Sequence, residues 1–267
     1  MQLTAPYIDP IMFSIGPLSL KWYGFLFAIG LLLGSLYVKK MIETYKIDFS
    51  KTHIDDFFIW GTLAIVLGGR LTYAMLYAPT LYLENPIDIL KIYEGGMSFH
   101  GGAFAMGVAI YVFCKKRALE WKTLSDLLAI SAPIVIIFGR IGNFINQELW
   151  GRTTTAAWGI IFPNVDSLPR HASQIYEALF EGVALFIIIK LMIHKYKILN
   201  HKGLTSGIFY LGYGCARIFA ECFREPDVQM GFLANKFTTG QLLSIPLILF
   251  GTLLIWQALT NKKKSAS

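Results

Sequence analysis

Residues 22–38 read Trp22-Tyr23-Gly24-Phe25-Leu26-Phe27-Ala28-Ile29-Gly30-Leu31-Leu32-Leu33-Gly34-Ser35-Leu36-Tyr37-Val38. No charge interrupts the run. A helix rises 1.5 Å per residue, so this stretch covers most of the ~30 Å hydrocarbon core of a bilayer. A second charge-free run extends from Phe237 to Asn261. Working outward from these two, the reading marks seven apolar segments: 22–38, 55–77, 99–114, 124–145, 175–193, 204–223 and 240–259. The fifth carries Glu177, Glu181 and Lys190 and departs furthest from the pattern. Glycine and aromatic residues are scattered through segments about twice the length of a barrel strand, and alternation is absent, which points to helices. The expected fold is an all-α integral membrane protein, one polytopic domain over residues 1–267 with about seven transmembrane helices and a small extracytoplasmic loop region.

Composition agrees. Of 267 residues, 55% are hydrophobic and only 15% are charged, and the mean hydropathy is +0.52. Soluble domains carry about 25% charge. Seven spans of ~20 residues need roughly 140 residues, which leaves room for loops but not for a large soluble domain. The first positive residue is Lys21, so no basic region precedes an apolar one as a cleaved signal peptide requires. Cys114, Cys215 and Cys222 fit no zinc or redox spacing and are expected to be buried free thiols.

The net charge of +7 has a topological explanation. Fourteen cations lie in four places: Lys39, Lys40, Lys46 and Lys51; Lys115, Lys116, Arg117 and Lys122; Lys195, Lys197 and Lys202; and Lys262, Lys263 and Lys264. The alternate connections hold Lys21, Lys91, Arg152, Arg170, Arg224 and Lys236. This bias predicts an N-terminus outside and a C-terminus inside, and it accounts for the basic charge without a nucleic acid partner. Two connections are long, 78–98 and 146–174, and both fall on the outer side, where loops of such length commonly serve function.

Charges within a bilayer are costly and need a reason. In the predicted topology Arg70, Arg140 and Arg217 lie in the outer halves of the second, fourth and sixth segments. Tyr23, His100, Glu177 and Glu181 come to the same depth on the odd-numbered ones. Glu221 follows Arg217 by four positions and shares its helix face. Structural ion pairs that staple helices are one account of these residues. Arg140 has richer surroundings, in Gly139-Arg140-Ile141-Gly142-Asn143-Phe144-Ile145-Asn146-Gln147-Glu148-Leu149-Trp150-Gly151. Arg140 and Asn143 are three apart, and a guanidinium fork beside an amide suits a phosphate. Gly139 and Gly142 are expected to leave backbone open to a ligand. A second dense stretch is Gly95-Gly96-Met97-Ser98-Phe99-His100-Gly101-Gly102, whose glycines are expected to leave His100 uncrowded. No histidine pair has metal-ligand spacing on a helix, so neither metal nor cofactor is expected.

The stretch from Gly139 to Gly151 resembles the signature of the prolipoprotein diacylglyceryl transferase family. Trp22-Tyr23-Gly24, His100-Gly101-Gly102, Arg170-His171 before Ser173-Gln174, and Tyr213-Gly214 before Arg217 are similar to its other landmarks, in the same order. The segment between Gly151 and Arg170 is shorter than in some members. The resemblance implies a seven-helix bacterial inner-membrane enzyme. Such an enzyme moves the diacylglyceryl group of phosphatidylglycerol to the thiol of the lipobox cysteine in a prolipoprotein. The expected partners are those two substrates and the surrounding membrane lipids. His100, Arg140 and Arg217 become the catalytic candidates: His100 as base toward the thiol, the arginines as clamps on the phosphate. Tyr23, Asn143, Asn146, Glu148 and Gly151 become substrate-binding candidates.

Two other classes compete. A small transporter or channel needs polar groups along a path to both faces. The apolar inner halves, 24–38, 57–69 and 245–259, count against it. A structural or receptor-like bundle leaves His100-Gly101-Gly102 unexplained.

Overall fold

The computed structural model describes residues 3–16, 18–76, 78–92, 96–226, 232–233 and 237–266. Gly95 and Lys236 lie outside the described residues, as do the side chains of His100, Lys262, Lys263 and Lys264. The chain is mostly helical. Its principal helices are α1 (Trp22–Tyr45), α2 (Lys51–Leu76), α3 (Pro79–Glu84), α4 (Phe99–Arg117), α5 (Trp121–Ile145), α6 (Ser173–Glu177), α7 (Leu185–Tyr196), α8 (Leu204–Glu221) and α9 (Thr239–Ala266). A π-helical stretch, Ala178–Ala184, joins α6 to α7 without a break in helical backbone. Each of the seven apolar segments falls on a helix. Among the described residues, four helical stretches are long and apolar enough to cross a membrane: α1, α2, α5 and Thr239–Asn261 of α9. On α2, Ile59, Leu63, Leu67, Leu71 and Met75 recur every fourth residue and are 48% to 72% exposed. A continuous bare apolar stripe of this kind faces lipid rather than water.

The chain divides into two compact units. In the unit Val38–Ser125, α2 packs on α4. Gly101 makes the approach possible, because a Cβ there would collide with Thr72 and the Gly68 carbonyl. Below this contact Phe113 meets Phe57 edge-on at 5.2 Å and Trp60 at 5.8 Å. The Arg117–Asp56 and Lys39–Asp55 pairs, both 2.7 Å, close the same end. The connection between α2 and α4 holds α3 and a 3₁₀ turn, Pro86–Leu90. Buried Arg70 gathers it by donating to the carbonyls of Asp88, Ile89, Lys91 and Gly96.

The other unit comprises Met1–Tyr37 and Asp126–Ser267. Its α8 and α9 pack through small residues, as membrane helices do. A Cβ on Gly251 would lie 2.7 Å from the Gly207 carbonyl. Asp126, buried on α5, accepts from the backbone of Gly203 and Ser206 at 2.6 and 2.7 Å, and so fixes the start of α8.

The same unit carries a small folded cap that the segment pattern does not show. Strand β1 (Leu3–Thr4) runs parallel to β4 (Ile160–Ile161), which pairs antiparallel with β5 (Pro169–Arg170). Phe162, fully buried, centres its core with Ala5 and Ala172, and Phe144 of α5 packs against it. Strands β2 (Ile11–Ile15) and β3 (Leu18–Lys21) form a hairpin that runs directly into α1, and β6 (Phe232–Leu233) pairs with β7 (Phe237–Thr238).

The cysteine expectation is corrected in part. All three are free thiols and Cys114 is buried, but Cys215 and Cys222 are exposed. With Phe219 they form an i, i+4, i+7 row on the outward face of α8. Apolar sequence context does not distinguish burial in protein from contact with lipid.

Candidate active site

Three helical segments of one unit bring six ionised groups together. The α6–π–α7 rod supplies Glu177 and Glu181, both fully buried. They stand on the π-helical stretch or beside it, and widened turns of this kind recur at functional sites. Helix α5 supplies Arg140, whose Nη1 lies 3.0 Å from Glu177 Oε2 and whose Nη2 lies 3.1 Å from Glu181 Oε2. Helix α8 supplies Arg217, with Nη1 2.5 Å from Glu177 Oε1 and Nη2 2.5 Å from Glu221 Oε1. Arg224, one turn on, reaches Glu177 Oε1 at 3.2 Å. Three guanidinium groups thus face three carboxylates, and the cluster has no net formal charge.

That balance is what a lipid-embedded site demands, since one uncompensated charge of this kind is strongly destabilising. It does not saturate the arginines. Arg140 gives one contact from each terminal nitrogen to glutamate, which leaves further N–H donors of its fork for a ligand. Its side chain and that of Arg217 remain 15% and 14% exposed, whereas their partners Glu177 and Glu181 are at 0%. Glu177 and Glu181 are the buried anchors of the cluster, and the two arginine side chains are its less buried members.

A second arrangement follows at the end of α5. Glu148 Oε1 accepts from Asn143 Nδ2 at 2.9 Å and from Asn146 Nδ2 at 3.3 Å. The Glu148 side chain is otherwise exposed. The turn that carries it is unusual, because Gln147 and Leu149 on either side both adopt left-handed backbone, φ 54° and 59°. Non-glycine residues rarely do so, at a cost of order 1–3 kcal/mol each, unless their surroundings impose it. The next residues enter the cap. Arg170 grips Asp166 at 2.6 Å, donates to the Gly151 carbonyl at 3.2 Å and stacks 4.3 Å above Trp150. That guanidinium holds the Asp166 carboxyl below the usual carboxylate range. His171 Nδ1 shares a hydrogen bond with the Tyr176 hydroxyl at 3.1 Å, while Trp158 Nε1 donates to the same hydroxyl, and burial pushes the imidazole pKa down.

Residues 10–257 match the sequence profile of a family described as prolipoprotein diacylglyceryl transferase. Over 256 residues the chain is 50% identical to the phosphatidylglycerol–prolipoprotein diacylglyceryl transferase of Rickettsia rickettsii (strain Sheila Smith), covering 96% of this chain and 99% of the relative. The same figures hold for the protein of that name from Rickettsia conorii. The Rickettsia typhi protein is 48% identical over 250 residues, with coverage of 94% and 96%. The chain belongs to the prolipoprotein diacylglyceryl transferase family.

Within this diacylglyceryl transferase, the site residues expected from sequence fall into two groups. Tyr23, Arg140, Asn143, Asn146, Glu148, Gly151 and Arg217 all belong to the unit of Met1–Tyr37 and Asp126–Ser267. Tyr23 is 38% exposed and stacks on Phe27. His100 is in the first turn of α4, in the other unit, and its side chain lies outside the described residues.

The glycines have a different use from the one expected. A Cβ on Gly142 would stand 2.8 Å from the Tyr23 Cα, so this glycine seats α1 on α5 and is not open to a ligand. Gly139 is less crowded, with Phe27 at 3.9 Å. Gly96, Gly101 and Gly102 face Tyr73, Thr72 and Ile65 of α2, so they serve close packing against that helix. Gly151 sits where strands cross: it bridges Arg224, its N–H donates to the His171 carbonyl at 2.9 Å, and a Cβ would meet the Phe223 carbonyl at 2.6 Å.

Arg224 is the participant that sequence reading missed, having counted it only as a loop cation. A signal was available. Arg217, Glu221 and Arg224 stand at i, i+4 and i+7, one face of a helix continued past its last turn. Sequence alone likewise assigns no role to Ser173 and Gln174.

Proposed function

We propose that this protein transfers the diacylglyceryl group of phosphatidylglycerol to the lipobox cysteine thiol of a prolipoprotein, the first step of bacterial lipoprotein maturation. The thiolate sulfur forms a bond to the glyceryl carbon. The bond from that carbon to the phosphate oxygen breaks, and glycerol phosphate leaves with the electron pair. The phosphate passes from a diester with about one negative charge to a monoester approaching two. Preorganised donors aimed at the growing charge are the most effective help for such a step. Arg140 and Arg217 fill this role, and Arg224 reinforces them from the same carboxylate. The observation that carries the reading is the exposure difference within the cluster, with Glu177 and Glu181 fully buried and the Arg140 and Arg217 side chains partly exposed. Asn143, Asn146 and Glu148 orient substrate beside it, with Tyr23 at the neighbouring helix end.

A thiol of pKa ~8.5 is only a few per cent ionised at neutral pH, so the reaction gains from a base. His100 is the candidate. The protein crosses the bacterial cytoplasmic membrane seven times, with its N-terminus in the periplasm and its C-terminus in the cytoplasm. The connections 78–98 and 146–174 are periplasmic. Both substrates then meet the arginines from the outer leaflet.

Purified protein, phosphatidylglycerol vesicles and a synthetic lipobox peptide should yield a thioether-linked diacylglyceryl peptide and free glycerol phosphate. Absence of both products would refute the reading. Single cysteines at Ser50 and Asn164, in a variant without the native three, should react with an impermeant reagent from opposite sides. Reaction of both from the periplasm would overturn the seven-span topology.

A further inference from the structure

The Ser173-Gln174 pair is fully buried at the start of α6 and has no part in the chemistry above. Its contacts converge on one feature. Gln174 Nε2 donates to the backbone carbonyl of Glu148 at 2.8 Å, and Ser173 Oγ donates to the carbonyl of Leu149 at 2.8 Å. Two successive carbonyls are therefore fixed by two successive side chains, at the turn where Gln147 and Leu149 are both left-handed. The opposite side is held as well. Gln147 Nε2 donates to the Pro6 carbonyl at 3.3 Å, and its Oε1 accepts from the backbone N–H of Asn164 at 3.0 Å. A strained turn persists only when its surroundings over-determine it, and these bonds do that.

The same short helix carries Glu177, three residues after Gln174 and four after Ser173, hence on one helical face. One end of α6 fixes the turn of Glu148, and the other places the carboxylate shared by Arg140, Arg217 and Arg224. We propose that Gln174, supported by Ser173, is the positioning residue for Glu148, setting its carboxylate in register with the arginine cluster. The inference rests on the transferase reading and on Glu148 acting on substrate. Without the amide donor, the turn relaxes toward ordinary backbone and Glu148 Oε1 departs from Asn143. Misplacement of an orienting group by about 1 Å costs up to roughly 100-fold in rate.

The test is Gln174→Met, which keeps the length and volume of the side chain and removes the donor. Transfer is measured in the native background and in a Glu148→Ala background. The expected result is a loss of roughly 10-fold to 100-fold in kcat/KM in the first and under about 3-fold in the second. Equal losses in the two backgrounds would overturn the proposal, because a general structural defect does not depend on the Glu148 carboxylate. Normal turnover by Glu148→Ala alone would overturn it too.

Hydrogen–deuterium exchange gives a readout independent of turnover. In Gln174→Met, exchange across 146–152 should quicken at least about 10-fold while residues 204–221 of α8 stay unchanged. Unchanged exchange in the turn, or equal quickening in α8, would refute the clamp. If the unmodified protein transfers nothing, the functional reading falls, and the exchange comparison decides the clamp by itself.

Discussion

Arg140 and Arg217 are joined through Glu177, which offers Oε2 to the first at 3.0 Å and Oε1 to the second at 2.5 Å. The two arginines come from α5 and α8, and the spacing between their charges is set by buried carboxylates on a third segment, since Glu181 also reaches both, at 3.1 and 3.5 Å. A phosphate that engages both forks meets a geometry fixed before it arrives.

Glu177→Gln tests this arrangement through stability. The amide keeps the shape but leaves Arg140, Arg217 and Arg224 with two carboxylates in place of three. Removal of one partner from a buried charge network costs about 3–5 kcal/mol. The thermal midpoint in detergent should fall well below that of Glu181→Gln, since Glu181 serves only Arg140 and, at 3.5 Å, Arg217. Equal midpoints for the two variants would show that Glu177 is not the hub.

Arg140→Lys and Arg70→Ala should separate chemistry from architecture. Lysine keeps the charge but cannot supply the planar fork that meets Glu177 and Glu181 while facing a phosphate. Transfer should fall by at least about 100-fold with the protein still folded. Arg70 bonds to four backbone carbonyls of the connection between α2 and α4. Its loss should lower the thermal midpoint and leave the turnover of the folded fraction near normal. A normal rate for Arg140→Lys would remove the phosphate clamp from the mechanism.

How much of this was legible beforehand differed by type of feature. The charge-free runs at 22–38 and 237–261 announce helices because a bilayer permits little else. The i, i+4 spacing of Arg217 and Glu221 forecasts the pair found at 2.5 Å. The cap was not legible. Strands β1 and β4 are two residues each, paired across more than 150 positions, and no local periodicity marks such elements. Glycines misled for a related reason. Sequence shows that Gly142 lacks a side chain, but only the fold shows that the backbone of α1 at Tyr23 fills the space. The clamp on Glu148 was hidden likewise, since 26 residues separate Gln174 from the carbonyl it holds.

His171 gives the cap a dependence on pH. Burial lowers its pKa from the ordinary 6.5, so the fold favours neutral imidazole. The unfolded chain then binds the proton more readily, and stability is lost as pH falls through the unfolded value toward the folded one. Between pH 7.5 and 5, the unmodified protein should lose more thermal stability than His171→Gln, whose side chain does not titrate. Parallel curves for the two proteins would show that His171 is not coupled to folding.

The role of His100 separates with pH as well. Two roles are open: removal of the thiol proton, or a hydrogen bond that holds substrate. If His100 is the base, His100→Gln should be nearly inactive at pH 7, where a thiol of pKa ~8.5 is mostly protonated. At about pH 9 the substrate thiol is largely ionised without help, and part of the lost rate should return. The unmodified enzyme should gain much less over the same range, so the ratio of variant to unmodified rate climbs. If His100 orients lipid or peptide, that ratio stays flat, because ionisation of the substrate benefits both proteins alike. Both must remain folded at pH 9, which circular dichroism in the same detergent checks. A flat ratio would take the base role from His100 and direct attention to Glu148, the exposed carboxylate held by Asn143 and Asn146.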